Sequence, residues 1–236
     1  MDFDCNFIRR IISRRFFALF FCFCSSLCFG GGVFFKNLGF SNDGLYFMFG
    51  EYGFEGEKYY SKVYFVDVWR NDFVKHGVYT RIFNEHIDHT DTAEKSLYEL
   101  LKIVDYRVKD LKINHLKKGR SIYLYVEHGD SIENSLDFID FLTGKRYLVA
   151  LNKTSRDYLR SSAFTISLSV EDDGVRIKDI QCIGRENYYR KNVLDYKIKE
   201  IFLFPKEDGI VFVVEKTMID FSGNKYNRFM VEMHKY

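Results

Sequence analysis

Proline is almost absent from this chain, which has a single one among 236 residues. Neither charge sign is in clear excess, since the formal net charge is only +2. A proline-rich linker is therefore excluded, and no global basic field is available to attract nucleic acid. The chain is instead 47% hydrophobic and 18% aromatic, which excludes disorder for most of its length. This composition, at this length, predicts an aromatic-rich globular protein.

Cysteine is also scarce outside the N-terminal region. Of the five cysteines only Cys182 lies beyond residue 30; the others are Cys5, Cys22, Cys24 and Cys28. Without a second thiol, residues 31–236 cannot form an intramolecular disulfide, so an exported form must depend on its hydrophobic core. The apolar residues on either side of Cys182 predict that it is a small core side chain and not a nucleophile.

The first thirty residues have the parts of a secretory signal peptide. Four arginines between Arg9 and Arg15 precede an uncharged run from Phe16 to Phe29, and Gly30 follows. A membrane-spanning helix needs about 20 apolar residues, a length that this run reaches only by including serines and glycines. The sequence predicts a signal peptide at 1–30 and a single domain at 31–236, exported to the periplasm or cell envelope. An uncleaved N-terminal anchor is the alternative, and it would be the protein's only contact with membrane.

Short runs of β-branched and aromatic residues predict strands in two segments, about 33–83 and 120–236. The runs are 45–49, 63–68, 122–126, 136–142, 146–151, 163–170, 197–204, 210–215 and 228–233. Five pairs predict tight turns with positive φ at glycine: Asp43-Gly44, Thr143-Gly144, Asp173-Gly174, Asp208-Gly209 and Ser222-Gly223. The fold class is therefore predicted to be mainly β.

One segment between these two, about 91–112, has helical periodicity instead. Its apolar residues recur at spacings of three and four: Leu97, Leu100, Leu101, Val104, Val108 and Leu111. Six such side chains are too many to leave in water on a stable secreted domain. We therefore expect one amphipathic α-helix that packs on the sheet as a structural element.

Residues 39–68 and 202–233 share an order of elements, which reads strand, Asp-Gly turn, strand, polar loop, strand. This arrangement resembles blades of the periplasmic β-propellers related to the translocation protein TolB, although Asn42 stands where proline is usual. Blades repeat about every 40–45 residues, so residues 31–236 have room for four at most. The resemblance implies blade-like antiparallel meanders that form a small distorted propeller or a β-sandwich.

A series of short motifs extends the resemblance over all of residues 31–236. They are Asn37-Leu38-Gly39-Phe40-Ser41, Tyr46-Phe47-Met48-Phe49-Gly50, Val66-Asp67-Val68 with Asn71-Asp72-Phe73-Val74, Leu97-Tyr98-Glu99-Leu100-Leu101, Asp140-Phe141-Leu142-Thr143-Gly144, Val211-Phe212-Val213-Val214-Glu215-Lys216 and Arg228-Phe229-Met230-Val231-Glu232. In this order they resemble a family of predicted secreted proteins of spirochaetal bacteria, classed as a domain of unknown function. The resemblance implies export and a fold, and it implies no chemistry.

The sequence contains no complete catalytic or cofactor motif: neither Gly-x-Ser-x-Gly nor His-Glu-x-x-His occurs. His86 and His89, close to Glu85, Asp88 and Asp91, have a suggestive spacing for zinc but too few ligands. We interpret them as solvated loop residues and expect neither a metal nor a cofactor. A periplasmic hydrolase or metal-dependent enzyme that uses His86, His89 and nearby carboxylates is the alternative.

Tyrosines cluster in two places, and exposed Tyr and Arg are frequent hot spots for protein or glycan partners. The candidate binding surface consists of Tyr52, Tyr59, Tyr60, Tyr188 and Tyr189, the last two beside Arg185 and Arg190. Packing within an aromatic-rich β domain is the other interpretation of these side chains. The sequence thus favours a non-catalytic envelope module that binds an unidentified protein, peptide or glycan, and it disfavours a nucleic-acid partner.

Overall fold

Fourteen strands and one helix form the part of the chain that the computed structural model describes, residues 32–55, 58–83, 93–126, 134–157 and 161–236. The strands are β1 (Phe34–Ser41), β2 (Tyr46–Glu55), β3 (Lys58–Asp67), β4 (Asp72–Phe83), β5 (Ile113–Asn114), β6 (Arg120–Leu124), β7 (Ser135–Ile139), β8 (Arg146–Arg156), β9 (Ser161–Asp172), β10 (Val175–Ile183), β11 (Arg190–Lys191), β12 (Val193–Leu203), β13 (Gly209–Ile219) and β14 (Lys225–Lys235). The helix, α1, is Ala93–Asp110. The mainly β fold class with one helix is confirmed, and the signal peptide predicted at 1–30 lies outside the described residues.

Helix α1 forms where the periodicity predicted a helix, with slightly shorter bounds. The side chains that it buries are Ser96, Leu97, Leu100 and Val104. They pack with apolar side chains of β1, β2 and β3, among them Met48 and Phe65. Leu101 and Val108 are only partly buried against this cluster, so the apolar face is centred on Leu97 and Val104.

The strands form three antiparallel sheets. We call them the helix-side sheet, in the order β4-β3-β2-β1-β5, the central sheet, β14-β13-β12-β6, and the outer sheet, β10-β9-β8-β7, in which β11 also pairs with β9. The helix-side sheet presents one face to α1 and the other to the central sheet. The outer sheet covers the opposite face of the central sheet. The layers are therefore helix, sheet, sheet and sheet.

The central sheet is covered on both faces, which explains why β13 begins with six successive buried residues. Val211 and Val213 pack with Phe47 and other aromatic residues of the helix-side sheet. Phe212 and Val214, which point the other way because side chains alternate along a strand, pack with the outer sheet. A continuous apolar run such as 210–214 is thus explained by two covered faces.

The two stretches that share an order of elements each form a three-stranded meander, β1-β2-β3 and β12-β13-β14. The meanders lie face to face through one apolar cluster, in which Phe40 and Phe47 of the first contact Phe202 of the second; Phe40 also contacts Phe204. The stacked meanders are consistent with either a β-sandwich or a distorted propeller.

Cys182 is exposed, so the prediction that it is a small core side chain was wrong. It lies on β10, the edge strand of the outer sheet, where most side chains are exposed or only partly buried. An apolar sequence neighbourhood does not show whether a further layer covers the strand.

Asp140 joins the central and outer sheets at the turn after β7. Its carboxylate accepts two hydrogen bonds from the Arg120 guanidinium on β6, at 2.7 and 2.9 Å, and one from the Thr143 hydroxyl at 2.6 Å. These hydrogen bonds, Arg120 foremost, lower the pKa of Asp140 to about 2. Bidentate hydrogen bonds between an arginine and a carboxylate are stronger than hydrogen bonds between neutral groups.

We expect Asp140→Asn to lower the free energy of unfolding at pH 7 by about 2 kcal/mol, the energy equivalent of this pKa shift. Because the folded-state pKa lies below the unfolded value, the contribution is present above about pH 4 and is lost as pH falls toward 2. Urea unfolding of both proteins at pH 7, 5 and 3 measures the difference. Asp137→Asn, which removes an exposed pair with Arg146, is the control and should lower the free energy of unfolding far less. If the wild type remained more stable than Asp140→Asn by the same amount below pH 3, the lowered pKa of Asp140 would not be the cause.

Candidate ligand-binding site

A cavity of about 400 Å³ lies at the edge of the layered sheets, and its lining comes from all three of them. The turn between β3 and β4 contributes Asn71, and β4 contributes Phe73. The connection from β10 to β11 contributes Tyr188, β11 contributes Arg190, and β13 and β14 contribute Lys216 and Glu232, among others. Charged and apolar side chains therefore face the same half-open cavity, as in many small-ligand sites.

Asn71 fixes the turn of the helix-side sheet on the edge strand of the central sheet. Its backbone has a left-handed conformation, with φ of 47°, which asparagine tolerates better than most residues. Its side-chain amide donates to Glu232 Oε2 at 2.5 Å, and its Oδ1 accepts a hydrogen bond from Met233 N at 2.9 Å. One side chain thus holds both the cavity wall and the Glu232 carboxylate.

Glu232 and Arg190 form an ion pair in the cavity wall. The closest distance, from Arg190 Nη2 to Glu232 Oε1, is 3.5 Å, and the Glu232 side chain is only 7% exposed. Burial raises the pKa of Glu232, against the opposing effects of Asn71 and Arg190. The guanidinium also lies against the ring of Tyr188, with its carbon 4.8 Å from the centroid, and its buried Nη1 has no hydrogen-bond partner among the described residues.

A fully buried carboxylate, Glu51 on β2, lies behind the cavity and joins the helix-side and central sheets. It accepts hydrogen bonds from the Tyr64 hydroxyl and from Phe229 N, both at 2.9 Å. Lys62 Nζ and Arg228 Nε are each 3.9 Å from its Oε1. Burial, with the nearby Glu51 charge, raises the pKa of Tyr64, so this hydroxyl stays protonated and donates.

Lys216, on β13 of the central sheet, brings a positive charge to the cavity lining. Burial lowers the pKa of its ammonium, and the positive charges of Arg190, Lys62 and Arg228 lower it further. The opposing effect comes from Glu51. Within the described ranges nothing forms an ion pair or a hydrogen bond with this ammonium.

The rim of the cavity is aromatic and charged. The rings of Tyr188 and Phe73 are about half exposed. Arg185 forms an ion pair with Asp72 and lies 5.8 Å from the Tyr188 ring centroid. The pair connects the β10–β11 connection to β4, and the open edge of the cavity therefore lies beside Tyr188.

The structure separates the five tyrosines proposed from the sequence. Only Tyr188 lines the cavity. Tyr60 is fully buried, its hydroxyl accepting a hydrogen bond from Arg228 Nη1, so placing it on an exposed surface was wrong. Tyr52 packs in the cluster beneath α1, and Tyr59 shares that sheet face by alternation, whereas Tyr189 lies under Arg156, 3.9 Å from its ring centroid.

His86 and His89, on which the metal-enzyme alternative depends, lie outside the described residues. Where the chain is described, no group of three or more His, Cys, Asp or Glu side chains is arranged to hold a metal ion. Nor does any described helix combine the length and apolar character needed to cross a bilayer.

A family model described as "Predicted secreted protein (DUF2259)" matches residues 48–235, well over half of the chain. The matched range contains every cavity-lining residue named above. No curated protein and no solved structure matches the chain.

Proposed function

The chain belongs to this family of predicted secreted proteins, whose function is unknown, and from that premise we propose that it is a non-catalytic binding protein of the periplasm or cell envelope. Its ligand is a peptide, held in the cavity beside Tyr188. The observation that carries the proposal is the half-open cavity of about 400 Å³ that brings ion pairs, apolar side chains and a half-exposed tyrosine together.

The character of the lining favours a peptide over a glycan. Met218, Val193 and Phe229 contribute apolar surface that a sugar's hydroxyl groups would not match. Charged groups such as Arg185 and Asp72 lie at the rim, where they can meet main-chain amides or charged side chains. A folded protein could place only a short segment of its chain in this space. Binding of a protein would therefore also be binding of a peptide segment.

The metal-dependent hydrolase that the sequence leaves open gains no support from the described residues. Its candidate ligands His86 and His89 remain a hypothesis from sequence spacing. Binding is therefore the one function that we propose.

We expect an equimolar library of N-acetylated tripeptides to raise the melting temperature of the protein, purified in the form that cells produce. Neutral oligosaccharides should leave the melting temperature unchanged. Ligands that bind only the folded state raise its stability by mass action. Tyr188→Ala should remove most of this shift, because the ring forms the open edge of the cavity. The matched control is Tyr106→Ala, which truncates a similarly exposed tyrosine on α1 and should leave the shift intact. No shift with peptides, or an equal loss in both variants, would refute peptide binding at this cavity.

A further inference from the structure

Lys216 is placed where a lysine costs stability. Its side chain is partly buried on β13 and lines the cavity, and its ammonium has no described partner at hydrogen-bond or ion-pair distance. The charges that act on it most strongly are one carboxylate, Glu51, and three cations, Arg190, Lys62 and Arg228. A partly desolvated cation without a paired counter-charge is unfavourable, and nearby like charges add to the cost.

An anion in the cavity would supply the missing counter-charge. A cationic ligand would instead meet the same three positive neighbours, so the local field selects against it. Of the other charged groups in the lining, Arg190 is paired with Glu232 and Arg185 with Asp72, and Lys191 is exposed to solvent. One inward cation without a partner matches a ligand with one negative charge better than a phosphate, which carries nearly two.

The apolar lining indicates which chemical group lies next to the negative charge in the ligand. Met218 on the strand of Lys216, together with Val193 and Phe229, bounds the space into which the ammonium faces. We propose that the cavity binds a carboxylate adjacent to an apolar group and that Lys216 is the residue that holds it. This carboxylate proposal specifies the ligand of the binding function proposed above, and it rests on that function. The same chemistry is present at the C-terminus of a peptide with an apolar last residue and in a small apolar organic acid.

Three probes separate these sources: N-acetyl-Ala-Ala-Phe with a free carboxylate, the same peptide as its C-terminal amide, and hexanoate. We expect the acid peptide to bind at least 10-fold more tightly than the amide by calorimetric titration. Lys216→Met, which retains length and apolar volume, should reduce the affinity for the acid to that of the amide. Lys225→Met, at an exposed position on β14, should change neither affinity.

The ligand-free protein provides a second measurement. Lys216→Met should raise its melting temperature by a few degrees, since an unpaired inward charge has been removed; a structural lysine would give the opposite sign. Equal affinities for acid and amide would overturn the carboxylate assignment and leave peptide binding in place. Hexanoate binding that depends on Lys216, with no binding of either peptide, would support the assignment and refute the peptide proposal. A lower melting temperature in Lys216→Met, or no binding of any probe, would overturn the inference.

Discussion

Glu51→Gln is expected to lower the free energy of unfolding at pH 7 by about 3 kcal/mol, the low end of the range for removing one partner of a buried charge pair. The carboxylate is fully buried and accepts hydrogen bonds from the Tyr64 hydroxyl and Phe229 N. Glutamine preserves its shape and loses the charge that faces Lys62 and Arg228. The cations at this junction between two sheets would then lack their shared counter-charge. Urea unfolding at equilibrium measures the loss.

The control for this variant is Glu99→Gln on α1, which removes an exposed pair with Lys102 and should lower the free energy of unfolding far less than Glu51→Gln does. A second comparison tests the electrostatic cause. Because Lys216 also responds to the Glu51 charge, Lys216→Met should reduce the cost of Glu51→Gln when the two are combined. A full cost of Glu51→Gln in the Lys216→Met background would show that the Lys216 charge is not coupled to Glu51.

Leu97→Ala should cost about 3 kcal/mol, within the usual range for a buried leucine. The side chain is fully buried between α1 and the helix-side sheet. Directly opposite is Gly50 on β2, where an added Cβ would be 2.7 Å from Leu97 Cδ1. Gly50→Ala alone should therefore destabilise the protein by about 1–3 kcal/mol through overpacking. Thermal or urea unfolding gives both values.

The double variant makes this prediction specific. In the Leu97→Ala background the added methyl group enters vacated space, so Gly50→Ala should cost little there. Leu116→Ala, which truncates a leucine that is 92% exposed, should change stability by less than about 0.5 kcal/mol. Additive costs of the Gly50 and Leu97 changes would mean that α1 does not pack on β2 as described. Unchanged stability in Leu97→Ala would refute a structural role of the helix.

Local features of the fold could be predicted because they depend on neighbouring residues. Glycine has the expected positive φ at four of the five predicted turns, as at Gly44 and Gly174. The exception is the turn before β13, where Glu207 has a φ of 56°. Gly209 is instead required because the Phe204 ring packs closely against its backbone, where a Cβ would lie 2.3 Å from the ring. A dipeptide cannot distinguish these two reasons for glycine.

The cavity could not be predicted, because its walls come from distant parts of the chain. Asn71 and Glu232, hydrogen-bonded to each other, are 161 positions apart. The sequence did carry a signal in the form of charged residues in otherwise apolar strands, such as Lys216 and Glu232. Tyrosine clustering was a weaker guide, because alternation along β3 sends Tyr59 and Tyr60 to opposite faces of one sheet. Which side of a strand is covered depends on the layers, and single-strand patterns do not contain that information.

The position of the central sheet also bears on when this protein can fold. Its long strands, β12 to β14, follow nearly all the others in the chain, yet they supply the surface on which both flanking sheets pack. During synthesis or passage through an export channel, the phenylalanine-rich face of the helix-side sheet and the mainly aliphatic face of the outer sheet would stay uncovered until residues beyond 193 emerge. Exposed faces of this kind make a nascent chain prone to aggregation. The layer order thus favours a chain kept unfolded during transit, with its core completed only after the last strands arrive.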